Sequence, residues 1–120
     1  MLTNSSRYFR RIRNWCLKQE MVTEEYPWEC IVYKVNGKVF AICSSETPLG
    51  ITLKPEKEHL DGYLYHPDVD IASHVGRFGW ITVTVHDKAS ADLAFALIQE
   101  SYAVVVKKHF RKLYRKLFAE

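Results

Sequence analysis

The chain has 120 residues, of which 48% are hydrophobic and 26% charged, and its formal net charge is +3. This length suits a single domain over residues 1–120, with a core that needs neither metal nor disulfide to stabilise it. No apolar run approaches the roughly 20 residues that cross a bilayer, and residues 1–15 lack the apolar stretch of a secretory signal, so we expect a cytoplasmic protein. The three cysteines form no Cys-x-x-Cys pair, which argues against a zinc site and a disulfide framework.

Charge is distributed unevenly along the chain. Residues 1–18 contain five basic residues and no acidic one, and residues 107–120 contain six basic residues and one acidic residue. Between them, residues 19–106 hold thirteen acidic and six basic residues. This asymmetry favours a polyanionic partner, either nucleic acid or an anionic membrane surface, although long terminal helices also carry solvated charge of this kind.

The first predicted element is a helix that Thr3 or Asn4 can cap and that ends near Leu17. At 100° per residue its apolar and basic side chains fall on opposite faces. A transit peptide has a similar composition, but this helical pattern indicates part of the fold. The apolar face contains Tyr8, Phe9, Ile12, Trp15 and Cys16, and the basic face contains Arg7, Arg10, Arg11 and Lys18.

A β-hairpin is predicted around Asn36-Gly37, the pair that a two-residue type I′ turn prefers. If Val35 pairs with Lys38, the register continues outward from the turn without interruption. The core face then opposes Tyr33 to Phe40 and Ile31 to Ile42, and the second face opposes Lys34 to Val39, Val32 to Ala41, and Cys30 to Cys43.

The last of these pairs predicts two cysteines on neighbouring strands. At a pair of this type, the Cα atoms of Cys30 and Cys43 would lie about 4.5 Å apart, near the lower limit for a disulfide. In a reducing cytosol we expect two free thiols, with a redox switch as the alternative.

Further along the chain, residues 50–54 predict a third short strand, and Pro55 begins a helical turn. Residues 62–79 follow no regular pattern. Residues 80–85 alternate apolar and polar side chains and predict a fourth strand. Asp87 or Ser90 then caps a long helix whose apolar residues recur at three- and four-residue intervals as far as Leu117.

The order α-β-β-β-β-α predicts an α+β fold in which an antiparallel sheet packs two long helices on one face. The second face lacks an obvious cover and would be a candidate surface for a protein or small ligand around Trp80, unless residues 62–79 fold over it. The residues predicted for this face are Cys30, Val32, Val39, Ala41, Cys43, Thr52, Lys54, Trp80, Thr82 and Thr84.

Six segments stand in order along the chain: CL at 16–17, EEYPWE at 24–29, VYKVNGKVFAI at 32–42, LK at 53–54, GWITVTV at 79–85 and SYAVVVKK at 101–108. Together they resemble the MmcQ/YjbR-like family. The resemblance implies a frataxin-like α/β sandwich, described as a double-wing arrangement, and a DNA-binding role without catalytic residues. The chain departs from the family pattern in one position and one segment: Glu29 stands where many relatives have glycine, and residues 76–79 replace a more basic segment.

The predicted function is non-enzymatic binding of nucleic acid, in the first place DNA, by a monomer. Basic residues on the last helix form a stripe opposite its apolar face, and such a stripe neutralises phosphates without reading sequence. A basic helix can also lie on a membrane, but here the apolar face is needed for the core, so we expect no membrane partner. The candidate residues are Arg7, Arg10, Arg11, Lys38, Arg77, Lys107, Lys108, Arg111, Lys112, Arg115 and Lys116.

Two of these candidates, Lys38 and Arg77, are predicted at loop tips. An arginine between glycines can reach a groove or a phosphate. The simpler interpretation of Gly76 to Gly79 is a tight turn that places Trp80 on its strand.

Other chemistry has little support in the sequence. His66, Asp68, Asp70 and His74 offer metal ligands, but their spacing matches no defined site, and the basic first helix would repel a cation. Turn residues with aspartate capping are the simpler interpretation, so we expect no metal or cofactor. Ser101 lies outside any nucleophile elbow and no glycine-rich phosphate loop is present, so we expect no enzymatic activity.

Overall fold

The computed structural model describes residues 7–45 and 48–118, so the cap predicted at Thr3 or Asn4 lies outside the described residues. Short 3₁₀ turns precede the second strand, the second helix and the last strand, at Pro27–Glu29, Lys57–His59 and Gly76–Phe78. The helices and strands are α1 (Arg7–Lys18), β1 (Val22–Glu25), β2 (Cys30–Val35), β3 (Lys38–Ser44), β4 (Leu49–Leu53), α2 (Leu60–Leu64), β5 (Val69–Ile71), β6 (Ile81–Val85), α3 (Lys88–His109) and α4 (Arg111–Phe118).

The six strands form one antiparallel sheet in the order β1-β2-β3-β4-β6-β5. The four predicted strands are its centre, and β1 and β5 extend it at the two edges. β5 comes from the segment predicted to be irregular, so part of that segment lengthens the sheet instead of crossing its second face. The predicted α+β class, with an antiparallel sheet and helices packed on one face, is confirmed.

The core lies between the sheet and the helices. Alternate residues of β4 and β6 are buried, as expected for strands with one face toward a core. Residues from α1 and α3 join them in a single apolar cluster, and side chains of α2 and α4 pack on its margin. Trp15 of α1 makes edge-on contacts with Phe95 and Tyr102 of α3, with ring centroids 6.4 and 5.7 Å apart, which fixes the two helices side by side.

The hairpin register differs from the predicted one beyond a β-bulge. Val35 pairs with Lys38 and Lys34 pairs with Val39 as predicted, but Tyr33 then pairs with Ala41 because Phe40 is an extra residue on β3. Each pair farther from the turn is shifted by one residue. The resulting pairs are Val32 with Ile42, Ile31 with Cys43, and Cys30 with Ser44.

A buried serine of α3 satisfies the backbone at this bulge. The Ser101 hydroxyl donates to the Phe40 carbonyl at 2.7 Å and accepts from the Lys54 N–H at 2.9 Å. Ser101 and Phe40 are completely buried, so without this bond the Phe40 carbonyl would lie unpaired in the interior.

The register shift also corrects the prediction for the cysteines. Ala41 and Cys43 belong to the core face, and Cys43 opposes Ile31 instead of Cys30, so the predicted cysteine pair is wrong and the switch built on it has no basis. All three cysteines are free. Burial raises the pKa of the Cys16 and Cys43 thiols, which makes them poor nucleophiles.

The long terminal helix that we predicted is divided at Phe110, whose φ of −135° and ψ of 69° are not helical. Phe110 packs against the core cluster, and the chain turns there into α4. The cap predicted at the other end of α3 is confirmed, because the Asp87 carboxylate accepts from the Ser90 N–H at 2.8 Å. By length and composition α3 could cross a membrane, but half of its most apolar stretch is buried in the fold, as in a core helix.

Candidate nucleic-acid interface

The last turn of α3 meets the end of the sheet that carries the β2–β3 turn. Lys38 follows this turn, Lys54 follows β4, and Lys108 and His109 end α3. These four residues and Trp80 line one small cleft of about 100 Å³, which we call the lysine cleft. Its remaining lining residues are valines, so no acidic side chain borders it.

The positive charges of the lysine cleft act on one another. Burial lowers the pKa of Lys54, and the charge of Lys108 lowers it further. Desolvation lowers the pKa of His109, and the charges of Lys38, Lys108 and Lys54 add to that effect. Within residues 7–45 and 48–118, none of the three lysines has a carboxylate within 4.0 Å. The cleft therefore concentrates positive charge that a bound anion would neutralise.

A larger cleft of about 520 Å³ adjoins the lysine cleft, and Lys54 and Val104 line both. It lies between residues 54–60 and the 3₁₀ turn that precedes β6. On the wall formed by this turn, the Arg77 guanidinium lies 4.8 Å from the ring centroid of Phe78, which is 56% exposed. We call this larger cleft the aromatic cleft.

Two glycines shape the turn that carries Arg77. Gly79 has a φ of +90°, in the left-handed region that residues with a side chain rarely adopt. At Gly76, an added Cβ would overlap the Ile71 side chain. This glycine-dependent turn holds Arg77 beside Phe78 in the connection between β5 and β6. Arg77 and Lys38 thus lie at the same end of the sheet, where β2–β3 and β5–β6 each make their turn.

The break at Phe110 divides the basic stripe that a single straight helix would have presented. Lys107 remains on α3, but its Nζ lies 6.0 Å from the ring centroid of Tyr114 on α4, so the basic residues of the two helices stay close at the break. Lys116 binds Glu20 at 2.8 Å. The other basic residues of α4 are exposed and have no carboxylate within 4.0 Å in the described part of the chain; they are Arg111, Lys112 and Arg115.

The α1 arginines form a separate patch. Arg11 binds Asp92 of α3 at 2.7 Å, and its guanidinium lies 4.0 Å from the Phe95 ring centroid. Because α3 rises 1.5 Å per residue, Asp92 lies about 24 Å along its axis from Lys108. Arg7 and Arg10 are exposed and lie within four residues of Arg11 on the same helix, so they belong to the far end of the helical layer. The basic face of α1 and the basic residues at the end of α3 and on α4 are therefore two separate patches.

Several lining residues of the clefts were not among the predicted site residues. Lys54, Lys57, Phe78 and His109 reach the clefts because the end of β4, the turn before β6 and the end of α3 meet in the fold. His109 directly follows Lys107 and Lys108, and this basic run was a local signal for it. For the others, no local pattern reports a contact between segments so far apart in sequence.

The candidate metal ligands in residues 66–74 do not assemble as a group. Among the described residues, Asp68 instead meets His86 and Asp87, with ligand atoms within 4.8 Å of one another. His86 Nε2 forms a 2.8 Å hydrogen bond with Asp68 Oδ1, and this bond raises the pKa of His86. Asp87 is engaged as the cap of α3, so hydrogen bonding within the protein already explains all three side chains.

The second face of the sheet faces away from the apolar cluster on which the described helices pack. Its residues on β3, β4 and β6 are partly exposed, among them Ile42, Thr52, Thr82 and Thr84. Thr52 and Thr82 share a hydrogen bond of 2.8 Å between their Oγ1 atoms. The membership predicted for this face needs correction, because Ala41 and Cys43 belong to the core and Ile42 stands beside Val32 instead. Trp80 and Lys54, also predicted for this face, line the lysine cleft against the last turns of α3.

Comparison with known proteins places the chain in a family. The YjbR family matches residues 17–104, from the end of α1 to most of α3. The crystal structure of a Pseudomonas syringae protein, 19% identical, is similar with a TM-score of 0.59 over 77% of this chain and 93% of that chain; this likeness concerns the fold. No curated protein matches the chain. With nearly three quarters of its length matched, the chain belongs to the YjbR family.

Proposed function

We propose that this protein binds nucleic acid, in the first place DNA, and that it does so without catalysis. The observation that carries the proposal is the lysine cleft, where Lys38, Lys54 and Lys108 gather from three separate elements with no acidic residue in the lining. Like charges repel, and a bound anion offsets that repulsion. Lysines supply such contacts to phosphates and release condensed counterions, which gives affinity without sequence preference.

The exposed cations of α4 extend this surface beyond the cleft. Arg111, Lys112 and Arg115 follow directly on the last turn of α3, so a strand held at the cleft has further phosphate partners beside it. The resemblance to a family with a DNA-binding role supports the same conclusion. We also propose that the protein is a monomer and that it is located in the cytoplasm.

The test is a comparison of two double variants in a salt titration of binding to random-sequence duplex DNA. Lys38→Gln with Lys108→Gln removes two charges from the lysine cleft, whereas Lys34→Gln with Lys88→Gln removes two charges outside both clefts and both basic helical faces. We expect the first variant to bind DNA more weakly. The slope of the logarithm of the binding constant against the logarithm of the salt concentration should become shallower by about 1.8, because each of the two lost phosphate contacts accounts for about 0.9. The control variant should stay close to the parent.

Two results would contradict the proposal. One is the absence of salt-dependent binding to any duplex or single strand at low salt. The other is an equal loss in both double variants, which would mean that net charge acts alone and that the cleft has no special part.

A second candidate is the protein-interaction or small-ligand module predicted around Trp80, now limited to the second face of the sheet because Trp80 itself lines the lysine cleft. The observation in its favour is that the described helices pack on the opposite face and leave residues around Thr52 and Thr82 partly exposed. Binding that resists salt and is unaffected by the lysine-cleft variant would favour this candidate over nucleic acid.

A further inference from the structure

The lysine cleft and the aromatic cleft form one continuous concave surface. Lys54 and Val104 border both, and the Lys54 Cε lies 4.0 Å from the position that a Cβ of Gly79 would occupy. The Lys54 side chain therefore passes beside the turn that carries Arg77 and Phe78. A ligand that filled both clefts would contact this lysine at its middle.

The two clefts differ in chemistry. The lysine cleft is small and is lined by three lysines and a histidine between valines and Trp80, which suits a phosphate group in size and charge. The aromatic cleft is about five times larger and is lined by the apolar side chains of Pro55, Leu60, Phe78 and Val104. Glu56 and Glu58 also border it beside Lys57, so a phosphate is less favoured there than in the lysine cleft.

Phe78 presents an aromatic face at the margin of the larger cleft. It is 56% exposed, which is unusual for phenylalanine, and the Arg77 guanidinium lies over its ring. Aromatic rings and guanidinium planes are the groups on which proteins stack unpaired bases. A base within a duplex already has neighbours on both faces and a partner on its edge, so it cannot enter such a cleft.

We propose that the two clefts together bind one unpaired nucleotide of a nucleic-acid strand, with its phosphate in the lysine cleft and its base stacked against Phe78. This inference rests on the proposed function, because it specifies which form of nucleic acid that site prefers. The protein then binds single strands, or the unpaired ends and bulges of duplexes, more tightly than uninterrupted duplex.

The experiment measures fluorescence anisotropy with a labelled single strand of mixed sequence and with the duplex of the same length, at one moderate salt concentration. The parent protein is compared with Phe78→Leu and with Tyr65→Leu, a matched control at an aromatic residue that is 89% exposed and lines neither cleft. We expect the parent to prefer the single strand. Phe78→Leu should weaken single-strand binding about tenfold, leave duplex binding nearly unchanged and keep the thermal unfolding of the parent.

Three outcomes overturn the inference and separate it from the proposed function. Salt-dependent binding that favours duplex, or a Phe78→Leu effect no larger than that of Tyr65→Leu, removes the nucleotide site and leaves general nucleic-acid binding standing. The absence of salt-dependent binding to either probe removes both.

A second measurement requires no variant and so remains valid if Phe78→Leu fails to fold. A single strand that contains 5-iododeoxyuridine is irradiated with the parent protein, and the crosslinked peptide is identified by mass spectrometry. A crosslink at Phe78 supports the inference, and crosslinks confined to peptides outside the two clefts overturn it.

Discussion

At the scale of single residues, His109 reports the electrostatics of the lysine cleft. Desolvation and the charges of Lys38, Lys108 and Lys54 hold the pKa of His109 below the ordinary value of 6.5, because each nearby cation disfavours the imidazolium form. The neutral form of the ring is therefore favoured, and the lysines supply the positive charge of the cleft.

Replacing one of these lysines should move the titration of His109. We expect Lys108→Gln to raise the pKa of His109 toward the ordinary value, because the variant removes one repelling charge while desolvation remains. A phosphate bound in the cleft should also raise it, since a negative charge stabilises the imidazolium. Both shifts can be followed by NMR titration of the ring, with Lys57→Gln as the control that should leave the pKa unchanged. A His109 pKa that is the same in the parent and in Lys108→Gln would show that the two groups do not face each other.

At the scale of elements, the fold around the clefts depends on the contact between the bulge in β3 and the middle of α3. Phe40 is the extra residue of the bulge, and its carbonyl accepts from the Ser101 hydroxyl, which in turn accepts from the N–H of Lys54. A single buried hydroxyl thus holds the start of β3, the end of β4 and α3 together. Lys38 and Lys54 both lie within two residues of a group that Ser101 binds.

Removing this hydroxyl should destabilise the protein. We expect Ser101→Ala to lower the free energy of unfolding by about 1–3 kcal/mol, because the buried Phe40 carbonyl and the partly buried Lys54 N–H lose their partner. Ser73→Ala, at an exposed position, should change it by less than about 0.5 kcal/mol. Urea unfolding followed by circular dichroism measures both. A Ser101→Ala variant as stable as the parent would mean that water replaces the hydroxyl in the core.

At the scale of the whole molecule, the basic residues form two patches at opposite ends of the helical layer. The patch at the clefts continues through Lys108 and α4, and the other consists of the α1 arginines beside Asp92. Sites separated by about 24 Å along α3, with no shared partner, act independently on binding free energy.

We therefore expect the two patches to contribute additively and unequally to DNA binding. Replacing Lys108, Arg111, Lys112 and Arg115 with glutamine should weaken binding almost uniformly across sequences. Arg7→Gln with Arg10→Gln should weaken it less, and the combined variant should equal the sum within about 0.5 kcal/mol. The measurement is the affinity of the parent and of all three variants for the same DNA at one salt concentration. If the α1 variant lost more DNA affinity than the variant of α3 and α4, the main interface would lie at the α1 arginines and the lysine-cleft proposal would be contradicted.

Much of this architecture follows from local patterns in the sequence. The period of the apolar residues located α1, β4, β6 and α3, and Asp87 with Ser90 located the start of α3. Asn36-Gly37 located the hairpin turn and its first two pairs. These features depend on interactions between residues close in sequence, which is why they could be predicted without knowledge of the rest of the fold.

Other features were decided only when distant segments packed together. The bulge at Phe40 depends on Ser101, and the break at Phe110 depends on the packing of that side chain against the core, so neither the outer register of the hairpin nor the division of the last helix is visible locally. β1 and β5 are too short to form alone and exist through their pairing with β2 and β6.

The candidate site shows the same division. The sequence by itself determined that the protein carries basic residues at both ends of the chain and a glycine-bounded Arg77 before a strand. Only the tertiary structure decided that Lys38, Lys54 and Lys108 share one cleft, that Phe78 borders the next, and that the α1 arginines lie elsewhere. The physical reason is that composition sets how many charges a chain carries, whereas the field at any point depends on which charges the packing of distant segments brings together.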